Sequence, residues 1–533
     1  MASVREATFE LFRAHGMTTI FGNPGSTELP MLADFPDDFT YVLGLQELVV
    51  MGMADGYAQA TGRPTHVNLH TAPGVGNAVG GIFNAQANKS PLVITAGQQV
   101  RAQITIEANL TNRDATFGPQ PYVKWSHEPP RAQDVPGALA RAIHHASLPP
   151  RGPAFVSIPM DDWGEEVDED RARNAIARQV MGRGAADEGA LSALADRLAQ
   201  ARAPVLVAGP DIDTSGGWDA AIALAEKQRL PVWASPATGG SRLGFPENHP
   251  NFVGVLAPAI GPLSETLKDH DLVLVVGSSV FPYYPYIPGA LLAEGTSLVA
   301  ITSDPGEAAR APMGDAIVGD VALALRRLVE LVPEAQRTAP EPRPAPGDPP
   351  QADPISGSEA MAALADVWPQ DAIVVVETPS TTLALRNRLR ISKPGSYYFC
   401  ASGGLGFGIA AAVGVQLAQP LRPVICVLGE GSAQYGITAL WTAVAYKVPV
   451  TFLILRNDEY MILKWFAMLE QVSGAPGLDL PGLDVAAVAR AYGMPAREVS
   501  GRDQLTAVLR ESIAADDGPR LVQVPVASGM WLE

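Results

Sequence analysis

The chain has 533 residues, of which 47% are apolar and 18% are charged, and its formal net charge is −18. A chain of this length exceeds what one hydrophobic core supports, so about two to four domains are expected. The acidic balance disfavours non-specific binding to nucleic acid or to anionic membranes, because both need a basic surface, and we expect neither partner.

The first residues, MASVREATFELFRAHG, have the pattern of an amphipathic helix and lack the apolar core of a signal peptide. The longest apolar runs have the length of strands and are interrupted, so no segment is expected to span a bilayer. The two cysteines, Cys400 and Cys426, are too few for a disulfide framework or a zinc site. We interpret them as buried thiols of a cytoplasmic protein.

Apolar β-rich runs alternate with helical patterns along the whole chain. The runs predict parallel strands buried on both faces, and the segments between them, such as 47–60 and 187–201, carry helical spacing. This alternation predicts an α/β architecture of doubly wound parallel sheets. The predicted strands are TTIFG (18–22), THVNLH (65–70), LVITAG (92–97), APVLVAG (203–209), LVLVVGS (272–278), SLVAIT (297–302), AIVVVE (372–377), PVICVLG (423–429), TFLILRN (451–457) and PRLVQVPV (519–526).

Two breaks divide the chain. Residues 338–356 are rich in proline and charge and lack periodicity, and a softer break lies at 165–187. We therefore predict three domains, 1–180, 185–338 and 356–533, with a linker at 339–355. Residues 51–74 also align with 407–431, since each stretch has a Gly/Ala-rich helix, a proline, a strand and a glycine turn. This similarity suggests that the first and third domains are related.

A carboxylate stands between two glycines where the predicted strand PVICVLG ends, at Gly429-Glu430-Gly431. The N–H groups of such a turn and the dipole of the following helix favour a diphosphate. The next strand ends before Asn457 and Glu459. Neighbouring parallel strands end at the same sheet edge, so Glu430, Asn457 and Glu459 are predicted to bind a hard cation such as Mg²⁺, shared with phosphate oxygens.

These motifs resemble those of enzymes that use thiamine diphosphate, in which a G-D-G turn is followed one helix and one strand later by N-N. The resemblance covers essentially the whole chain and is strongest to the 2-keto acid decarboxylases that act on benzoylformate. The stretches that carry it are FGNPGSTELP (21–30), LQELVVMGMADGYAQA (45–60), NLHTAPGVGNAVG (68–80), ITAGQQVRA (94–102), ARAPMGDAIV (309–318), GSYYFCASGGLGFG (395–408), ALWTA (439–443) and PGLDLPGLD (476–484).

The resemblance implies non-oxidative decarboxylation of an aromatic 2-keto acid, benzoylformate to benzaldehyde and CO₂, through the cofactor's ylide and an enamine. It also implies a carboligase side activity that gives 2-hydroxy ketones. Thiamine diphosphate and Mg²⁺ are the implied cofactors, and a keto acid and an aldehyde are the implied small-molecule partners. In this family the first domain of one subunit faces the third domain of another, which implies at least a homodimer and favours a homotetramer.

Three residues of the first domain receive chemical roles from this resemblance. Glu47 is expected to protonate the pyrimidine ring of the cofactor, and His70 and Ser26 are expected to act on the substrate. Each also has a plainer interpretation. Glu47 would be a helix carboxylate facing solvent, His70 a packed strand-end residue, and Ser26 the N-cap of a helix beginning at Thr27.

The resemblance also implies the contacts of cofactor and substrate. Leu405 matches an apolar residue that bends the cofactor, and the Gly403 carbonyl matches the acceptor of the pyrimidine amino group. The implied cofactor contacts are Asn23, Pro24, Glu47, Ser380, Gly403, Leu405, Gly431, Ser432 and Tyr460. The implied substrate pocket is Ser26, His70, Leu110, Phe399, Leu463, Phe466 and Leu478, with ordinary core packing as the alternative for its apolar members.

Three positions depart from the family pattern. Glu430 stands where the family has aspartate, and its extra methylene makes Ca²⁺ or Mn²⁺ alternatives to Mg²⁺, which demands stricter geometry. Arg456 is expected to offset the negative charge of Glu430 and Glu459. Tyr284 stands where the close relatives carry a second catalytic histidine, and slower proton donation by tyrosine would favour carboligation.

Two other functions remain open at this point. One is a carboligating lyase of the acetolactate-synthase or 2-hydroxyacyl-CoA-lyase type, although residues 185–338 show no evident flavin or nucleotide fingerprint. The other is a catalytically silent protein that binds the cofactor. The presence of Glu47, His70, Ser26 and Leu405 together disfavours the silent protein, because a decayed site would be expected to lose some of them.

Overall fold

The computed structural model of the chain describes residues 2–236, 241–281 and 284–531. Within these ranges the chain forms three six-stranded sheets, and the strand pairs all run parallel. Helices connect successive strands and cover the sheets, because a parallel sheet buries both of its faces. The predicted fold class, doubly wound α/β, is confirmed.

The first sheet follows the N-terminal amphipathic helix. Its strands are β1 (Thr19–Gly22), β2 (Thr40–Leu43), β3 (Thr65–Leu69), β4 (Leu92–Gln98), β5 (Trp125–His127) and β6 (Ala154–Pro159), in the order β2-β1-β3-β4-β6-β5. Its helices are α1 (Val4–Ala14), α2 (Leu29–Leu32), α3 (Glu47–Thr61), α4 (Thr71–Ala87), α5 (Arg101–Ile104), α6 (Val135–Ser147) and α7 (Glu169–Ala177), with 3₁₀ turns at Ala132–Asp134 and Asp162–Gly164.

The second sheet has the order β12-β11-β10-β7-β8-β9. Its strands are β7 (Pro204–Ala208), β8 (Val232–Ala234), β9 (Phe252–Val255), β10 (Leu272–Val276), β11 (Ser297–Thr302) and β12 (Asp315–Val318). Its helices are α8 (Glu188–Gln200), α9 (Pro210–Ser215), α10 (Trp218–Lys227), α11 (Ile260–Leu267), α12 (Pro305–Arg310) and α13 (Val321–Leu331).

The third sheet has the order β14-β13-β15-β16-β18-β17. Its strands are β13 (Ile373–Glu377), β14 (Tyr397–Phe399), β15 (Val424–Gly429), β16 (Val450–Arg456), β17 (Ala496–Glu498) and β18 (Arg520–Pro525). Its helices are α14 (Gly357–Ala365), α15 (Thr382–Leu389), α16 (Phe407–Ala418), α17 (Glu430–Tyr435), α18 (Ala439–Ala445), α19 (Met461–Leu469), α20 (Val485–Ala491) and α21 (Arg502–Ile513). No helix in the described ranges is long and apolar enough to cross a membrane.

The first and third sheets share one topology. In each, the first strand lies between the second and the third, and the last two strands are exchanged at the far edge. The strand order therefore reverses between β1 and β3 and again between β13 and β15. Such switch points leave a crevice at the carboxyl ends of the strands, where ligands of open α/β sheets bind. The shared order agrees with the predicted relation between the two units.

Helices α3 and α16 pack directly on each other and join the first and third sheets into one hydrophobic core. Their contact is lined by glycine and alanine. A Cβ atom on Gly56 would lie 2.4 Å from the carbonyl oxygen of Ala411, and one on Gly414 would lie 1.9 Å from that of Met53. The Gly/Ala-rich pattern seen in the sequence thus serves a backbone-to-backbone approach that no larger residue permits.

Residues 339–355 contain no helix or strand, and they lie against both neighbouring units. The guanidinium of Arg343 stacks over the ring of Phe252 in the second unit, 5.0 Å from its centroid, and Arg390 of the third unit donates to the carbonyl of Pro344. We propose that 1–180, 185–338 and 356–533 are the domains and that 339–355 links them, because each range carries one complete sheet.

Replacing Gly414 by alanine is expected to separate α3 from α16. The added methyl group would overlap the Met53 carbonyl, and overpacking of this kind costs roughly 1–3 kcal/mol. The matched control is Gly137→Ala in the exposed part of α6, where an added Cβ meets no atom within 4 Å. Thermal unfolding should show a lower midpoint for Gly414→Ala only. Equal midpoints for the two variants would contradict the tight contact.

Candidate active site

The switch point of the first sheet brings together residues from three loops. The loop of Asn23 and Ser26 follows β1, His70 follows β3, and Glu47 begins α3 after β2. Helix α2 begins only at Leu29 with no side-chain cap, so Ser26 is not an N-cap and lies exposed in a turn. The interpretation of Ser26 as the cap of a helix beginning at Thr27 is therefore wrong.

His70 is held by a buried carboxylate that the sequence did not single out. Its Nδ1 lies 2.9 Å from Glu28 Oε2 and 3.2 Å from Thr27 Oγ1. Glu28 is only 1% exposed and accepts hydrogen bonds from the backbone N–H groups of Gly25 at 2.8 Å and Gly97 at 2.9 Å. A carboxylate fixed in this way accepts a hydrogen bond from His70 Nδ1–H and leaves Nε2 as the nitrogen available for proton transfer.

Glu47 lies beside His70 in the same crevice. Its two carboxylate oxygens accept hydrogen bonds from the side-chain amides of Asn23, at 3.2 Å, and Asn77, at 3.0 Å. A Cβ atom on Gly74 would lie 3.2 Å from the Cβ of His70 and 3.3 Å from Glu47 Oε1, so both residues flank the same glycine. Glu47 is buried rather than turned to solvent, which removes the plainer interpretation.

The third sheet places Glu430 and Asn457 on adjacent strand ends. Gly429 of β15 pairs with Leu455 of β16, so the residues that follow lie side by side, and Glu430 Oε1 accepts from the Asn457 N–H at 3.2 Å. The pKa of Glu430 is raised, because the effect of burial exceeds the lowering by the backbone N–H groups around the carboxylate. Among the described residues no three His, Cys, Asp or Glu side chains are arranged to hold a metal ion. A cation here therefore needs amide, backbone or phosphate oxygens as well as Glu430.

The charges around this turn differ from the expectation. Glu459 forms an ion pair with Lys464 and accepts a hydrogen bond from Ser528. Arg456 instead pairs with Asp458 at 2.9 Å and with Glu498 at 3.5 Å. The expected role of Arg456 is therefore wrong, because its side chain is directed along the strand end toward β17. Lys464 is the cation that offsets Glu459.

A close fit between residues closes the turn after β15. A Cβ atom on Gly431 would lie 2.6 Å from a ring carbon of Tyr460, so the ring of Tyr460 covers the glycine. Ser432 is buried in the first turn of α17, and Ser380 lies in the loop after the adjacent strand β13. The turn thus offers backbone N–H groups and hydroxyls on one sheet edge, which is the donor set that a diphosphate requires.

The loop Gly403–Leu405 is anchored from two sides. Glu377, at the end of β13, accepts from the N–H of Gly406 at 2.7 Å and from that of Gly408 at 2.8 Å. From the first unit, the side-chain amide of Asn84 donates to the Gly404 carbonyl at 3.1 Å. Glu377 and Asn84 were missed from sequence because both act on backbone atoms far away in the chain, and neither lies in a recognisable motif.

The expected apolar pocket is only partly assembled within one chain. The ring of Tyr284 lies over that of Phe466, with 5.0 Å between centroids, and the Tyr460 N–H donates to the Leu478 carbonyl at 2.9 Å. Leu463 lies on the same helix as Phe466 and is 45% exposed. The two other members lie elsewhere, since Phe399 packs against the core of the second and third sheets and Leu110 contacts Thr71 of the first.

The residues present fit the implied cofactor and metal. A turn of N–H groups with two hydroxyls fits a diphosphate, and a buried carboxylate beside an asparagine fits a hard cation with oxygen ligands. The Gly403 to Leu405 loop is half-exposed, and an added Cβ on Gly403 would meet nothing within 4 Å, so there is space over this loop. Buried Glu47 belongs to the first sheet, whereas the other residues of this set belong to the third.

Comparison with known proteins agrees with this geometry. Three thiamine pyrophosphate enzyme profiles match, namely the N-terminal TPP binding domain over residues 2–116, the central domain over 191–328 and the C-terminal TPP binding domain over 379–524. Benzoylformate decarboxylase of Pseudomonas aeruginosa is 52% identical over 98% of this chain and 99% of its own length. The acetolactate synthase large subunit of Parasynechococcus marenigrum is 28% identical over 98% of this chain and 87% of its own.

Solved structures give the same result. The thiamine diphosphate-dependent 4-hydroxybenzoylformate decarboxylase of Rhodococcus jostii RHA1 superposes with a TM-score of 0.96 at 46% identity, covering 99% of both chains. Benzoylformate decarboxylase of Polynucleobacter necessarius superposes with a TM-score of 0.96 at 40% identity, again over 99% of both chains.

Glu377 makes stability depend on pH in a predictable direction. Burial raises its pKa to about 8 against the lowering by the N–H groups of Gly408 and Gly406. The folded state therefore holds this proton more tightly than the unfolded state. The stability it contributes is complete below pH 4.5 and is lost as the pH rises toward 8, by about 1.4 kcal/mol per unit.

The variant Glu377→Gln removes this titration. It also leaves one backbone N–H without an acceptor, which costs roughly 1–3 kcal/mol at low pH. We expect the variant to be less stable than the wild type at pH 5 and the deficit to shrink by pH 8. Urea unfolding at pH 5, 6.5 and 8 measures this difference. A deficit that stays constant across the range would show that Glu377 does not titrate there.

Proposed function

Because this chain belongs to the thiamine pyrophosphate enzyme family, we propose that it decarboxylates an aromatic 2-keto acid of the benzoylformate type. The observation that carries the proposal is the grouping of Ser26, Glu47 and His70 at one crevice, with His70 oriented by Glu28. When bound, the cofactor supplies the electron sink that receives the electrons released with CO₂.

His70 and Glu28 would serve proton transfer at the substrate. Glu28 accepts a hydrogen bond from Nδ1–H of His70, so Nε2 would exchange a proton with the reacting oxygen or carbon. Ser26, which is exposed in the neighbouring turn, is placed to donate to the substrate carboxylate. Glu47 would hold its carboxyl proton against the pyrimidine ring, with Asn23 and Asn77 fixing the orientation of its two oxygens.

The third sheet would hold the diphosphate end of the cofactor. Glu430 and Asn457 would bind Mg²⁺, with Ca²⁺ and Mn²⁺ as alternatives, and Ser380, Gly431, Ser432 and Tyr460 would surround the diphosphate. For Glu459 the ion pair with Lys464 favours a backbone rather than a side-chain contribution. Gly403 and Leu405 would position the pyrimidine and bend the cofactor between its two ends.

An apolar wall would favour an aromatic keto acid and assist the loss of its charge. Tyr284 and Phe466 form one side, and exposed Leu463 on the same helix as Phe466 is available to extend it, while Leu110 would come from the first unit of the other copy. Tyr284 would also govern how fast the product is protonated. Because slow protonation leaves time for reaction with an aldehyde, we infer a carboligase side activity. The ratio of 2-hydroxy ketone to aldehyde among the products measures it. An unchanged product ratio in Tyr284→His would show that Tyr284 does not control protonation of the product.

The two halves of the site would meet between two copies of the chain. Glu47 and His70 lie on the first sheet and Glu430 and Asn457 on the third, and the apolar side chains of Leu463, Met468 and Phe117 are exposed in the single chain. We therefore infer a homodimer at least, and a homotetramer as the full assembly, in the cytoplasm. Light scattering of the purified protein tests the assembly.

Carbon dioxide release tests the function directly. With thiamine diphosphate and Mg²⁺, release from benzoylformate should exceed release from pyruvate by roughly 100-fold or more, since the pocket selects by apolar contact over several carbon atoms. Glu430→Asp should retain activity with Mg²⁺, and Glu430→Ala should lose it. Equal rates with the two keto acids, or no release with Mg²⁺, Ca²⁺ or Mn²⁺, would overturn the proposal.

Replacing Glu28 by glutamine tests how His70 is oriented. The neutral amide holds the ring less firmly, and we expect kcat to fall roughly 10- to 100-fold, as for other carboxylates that orient histidine. The affinity for thiamine diphosphate should not change. Exposed Glu10, which pairs with Arg13 on the surface, gives the control Glu10→Gln. Unchanged kcat in Glu28→Gln, or an equal loss in the control, would contradict this orientation.

A further inference from the structure

A buried asparagine of the first unit contacts the loop that precedes Leu405 in the third. Asn84 lies in the last turn of α4 and is 3% exposed. Its Oδ1 accepts a hydrogen bond from Ser402 Oγ at 2.5 Å, and its amide donates to the Gly404 carbonyl at 3.1 Å. A Cβ atom on Gly404 would lie 2.1 Å from Asn84 Oδ1, so a larger residue there would displace this side chain. The loop is therefore shaped around Asn84.

The hydroxyl of Ser402 fixes the peptide group between Gly403 and Gly404. The Gly404 N–H donates to Ser402 Oγ at 3.1 Å. A trans peptide group is planar, and its N–H and C=O point in opposite directions. The Gly403 carbonyl belongs to this same peptide group and is therefore directed away from Ser402. Its orientation depends on where the Ser402 hydroxyl is held.

Asn84 determines how that hydroxyl is oriented. A serine hydroxyl has one proton to donate and two lone pairs that accept. Because the amide of Asn84 donates to Gly404, its Oδ1 faces Ser402 and accepts from the hydroxyl. Cys400 Sγ lies 3.1 Å from the same hydroxyl oxygen, and burial raises the pKa of this thiol to about 12, so it remains a donor. Both lone pairs of Ser402 thus have donors, the Cys400 thiol and the Gly404 N–H.

A second asparagine holds the start of the same loop. Asn88, the residue that follows α4, accepts from the Ala401 N–H at 3.0 Å and donates to Asp55 Oδ2 at 2.8 Å. Residues four apart lie on one face of a helix, and Asn84 and Asn88 both contact the loop from that face. The first unit therefore fixes this loop at two points, of which only Asn84 acts on the peptide group of the Gly403 carbonyl.

We propose that Asn84, acting through Ser402, is a positioning residue that holds the Gly403 carbonyl in the orientation required by the pyrimidine amino group of thiamine diphosphate. The inference rests on the proposed function, in which Gly403 positions the pyrimidine, and it names the residues that set this acceptor. Without Asn84 the Ser402 hydroxyl is free to turn, and the peptide group between two glycines rotates with little steric resistance. The cofactor then loses an oriented acceptor.

A thermodynamic cycle separates this role from a merely structural one. The ligands are thiamine diphosphate and its 4′-deamino analogue, which has hydrogen in place of the pyrimidine amino group. Each is titrated with Mg²⁺ into the cofactor-free, full-length protein, and calorimetry gives the dissociation constants. Asn84→Ala should weaken thiamine diphosphate roughly 5- to 10-fold, as for the loss of one hydrogen bond, and the analogue less than roughly 2-fold. If Asn84→Ala fails to fold, Ser402→Ala, which deletes one oxygen atom, takes its place with the same expectation.

The matched control is Asn251→Ala in the second unit. Asn251 is also buried, and its amide donates to the carbonyls of Ala225 at 3.2 Å and Leu230 at 2.8 Å. This variant should lower the thermal unfolding midpoint and leave both dissociation constants unchanged, because its hydrogen bonds lie away from the loop.

Two results would overturn the proposal. One is equal weakening of the two ligands in the Asn84 and Ser402 variants, and the other is unchanged binding of thiamine diphosphate in both. The titration needs no keto acid, so it tests the positioning role whether or not the chain releases CO₂. Failure of the wild type to bind thiamine diphosphate would overturn the proposed function and this inference together.

Discussion

The contact between α3 and α16 is the constraint on which the rest of the molecule depends. Glycines on both helices allow their backbones to approach closely, and the first and third sheets thereby share one core. Each helix also begins at a residue or loop of the candidate site, α3 at Glu47 and α16 just after Leu405 and Gly406. Fixing the two helices against each other therefore fixes where both halves of the site are presented.

Three buried carboxylates position the other parts of the candidate site, and each has different surroundings. Glu28 accepts hydrogen bonds from the N–H groups of Gly25 and Gly97 and holds His70 in a fixed orientation. Glu377 accepts from the N–H groups of Gly406 and Gly408, and its burial raises its pKa to about 8. Burial raises the pKa of Glu430, which accepts a hydrogen bond from the backbone N–H of Asn457.

Sequence patterns predicted ten strands, all of them inside their sheets, and missed the six edge strands together with the interior strands β6 and β8. Central parallel strands are buried on both faces and form continuous apolar runs, as in LVLVV of β10, whereas β12 and β17 are half-exposed and three or four residues long. The turn at Glu430 was predicted because a glycine-flanked carboxylate after an apolar run is a local signal. The buried side chains that hold His70 and the Gly403 to Leu405 loop, namely Glu28, Glu377 and Asn84, were not predicted.

Long-range contacts explain what was missed at the site. Glu28 and His70 are 42 residues apart in the chain and meet only because β1 and β3 are neighbours in the sheet. Arg456 also has other partners than expected. We expected it to offset Glu430 and Glu459, but it pairs with Asp458, two residues along the chain, and with Glu498, which lies on β17 beside β18. Strand order decides such pairs, and a single sequence carries little information about it.

The segment 339–355 has a consequence for the unfolded chain. It contains seven prolines, whose rings restrict the backbone before folding begins. Each such residue removes roughly 0.4–1 kcal/mol of conformational entropy that would otherwise oppose folding. Arg343 then stacks on Phe252 and fixes a segment whose backbone the prolines had already restricted. The conformational search that brings the second and third sheets together is therefore smaller. The proline-rich composition that marks 339–355 as a break between domains thus also makes it a preorganised connection between them.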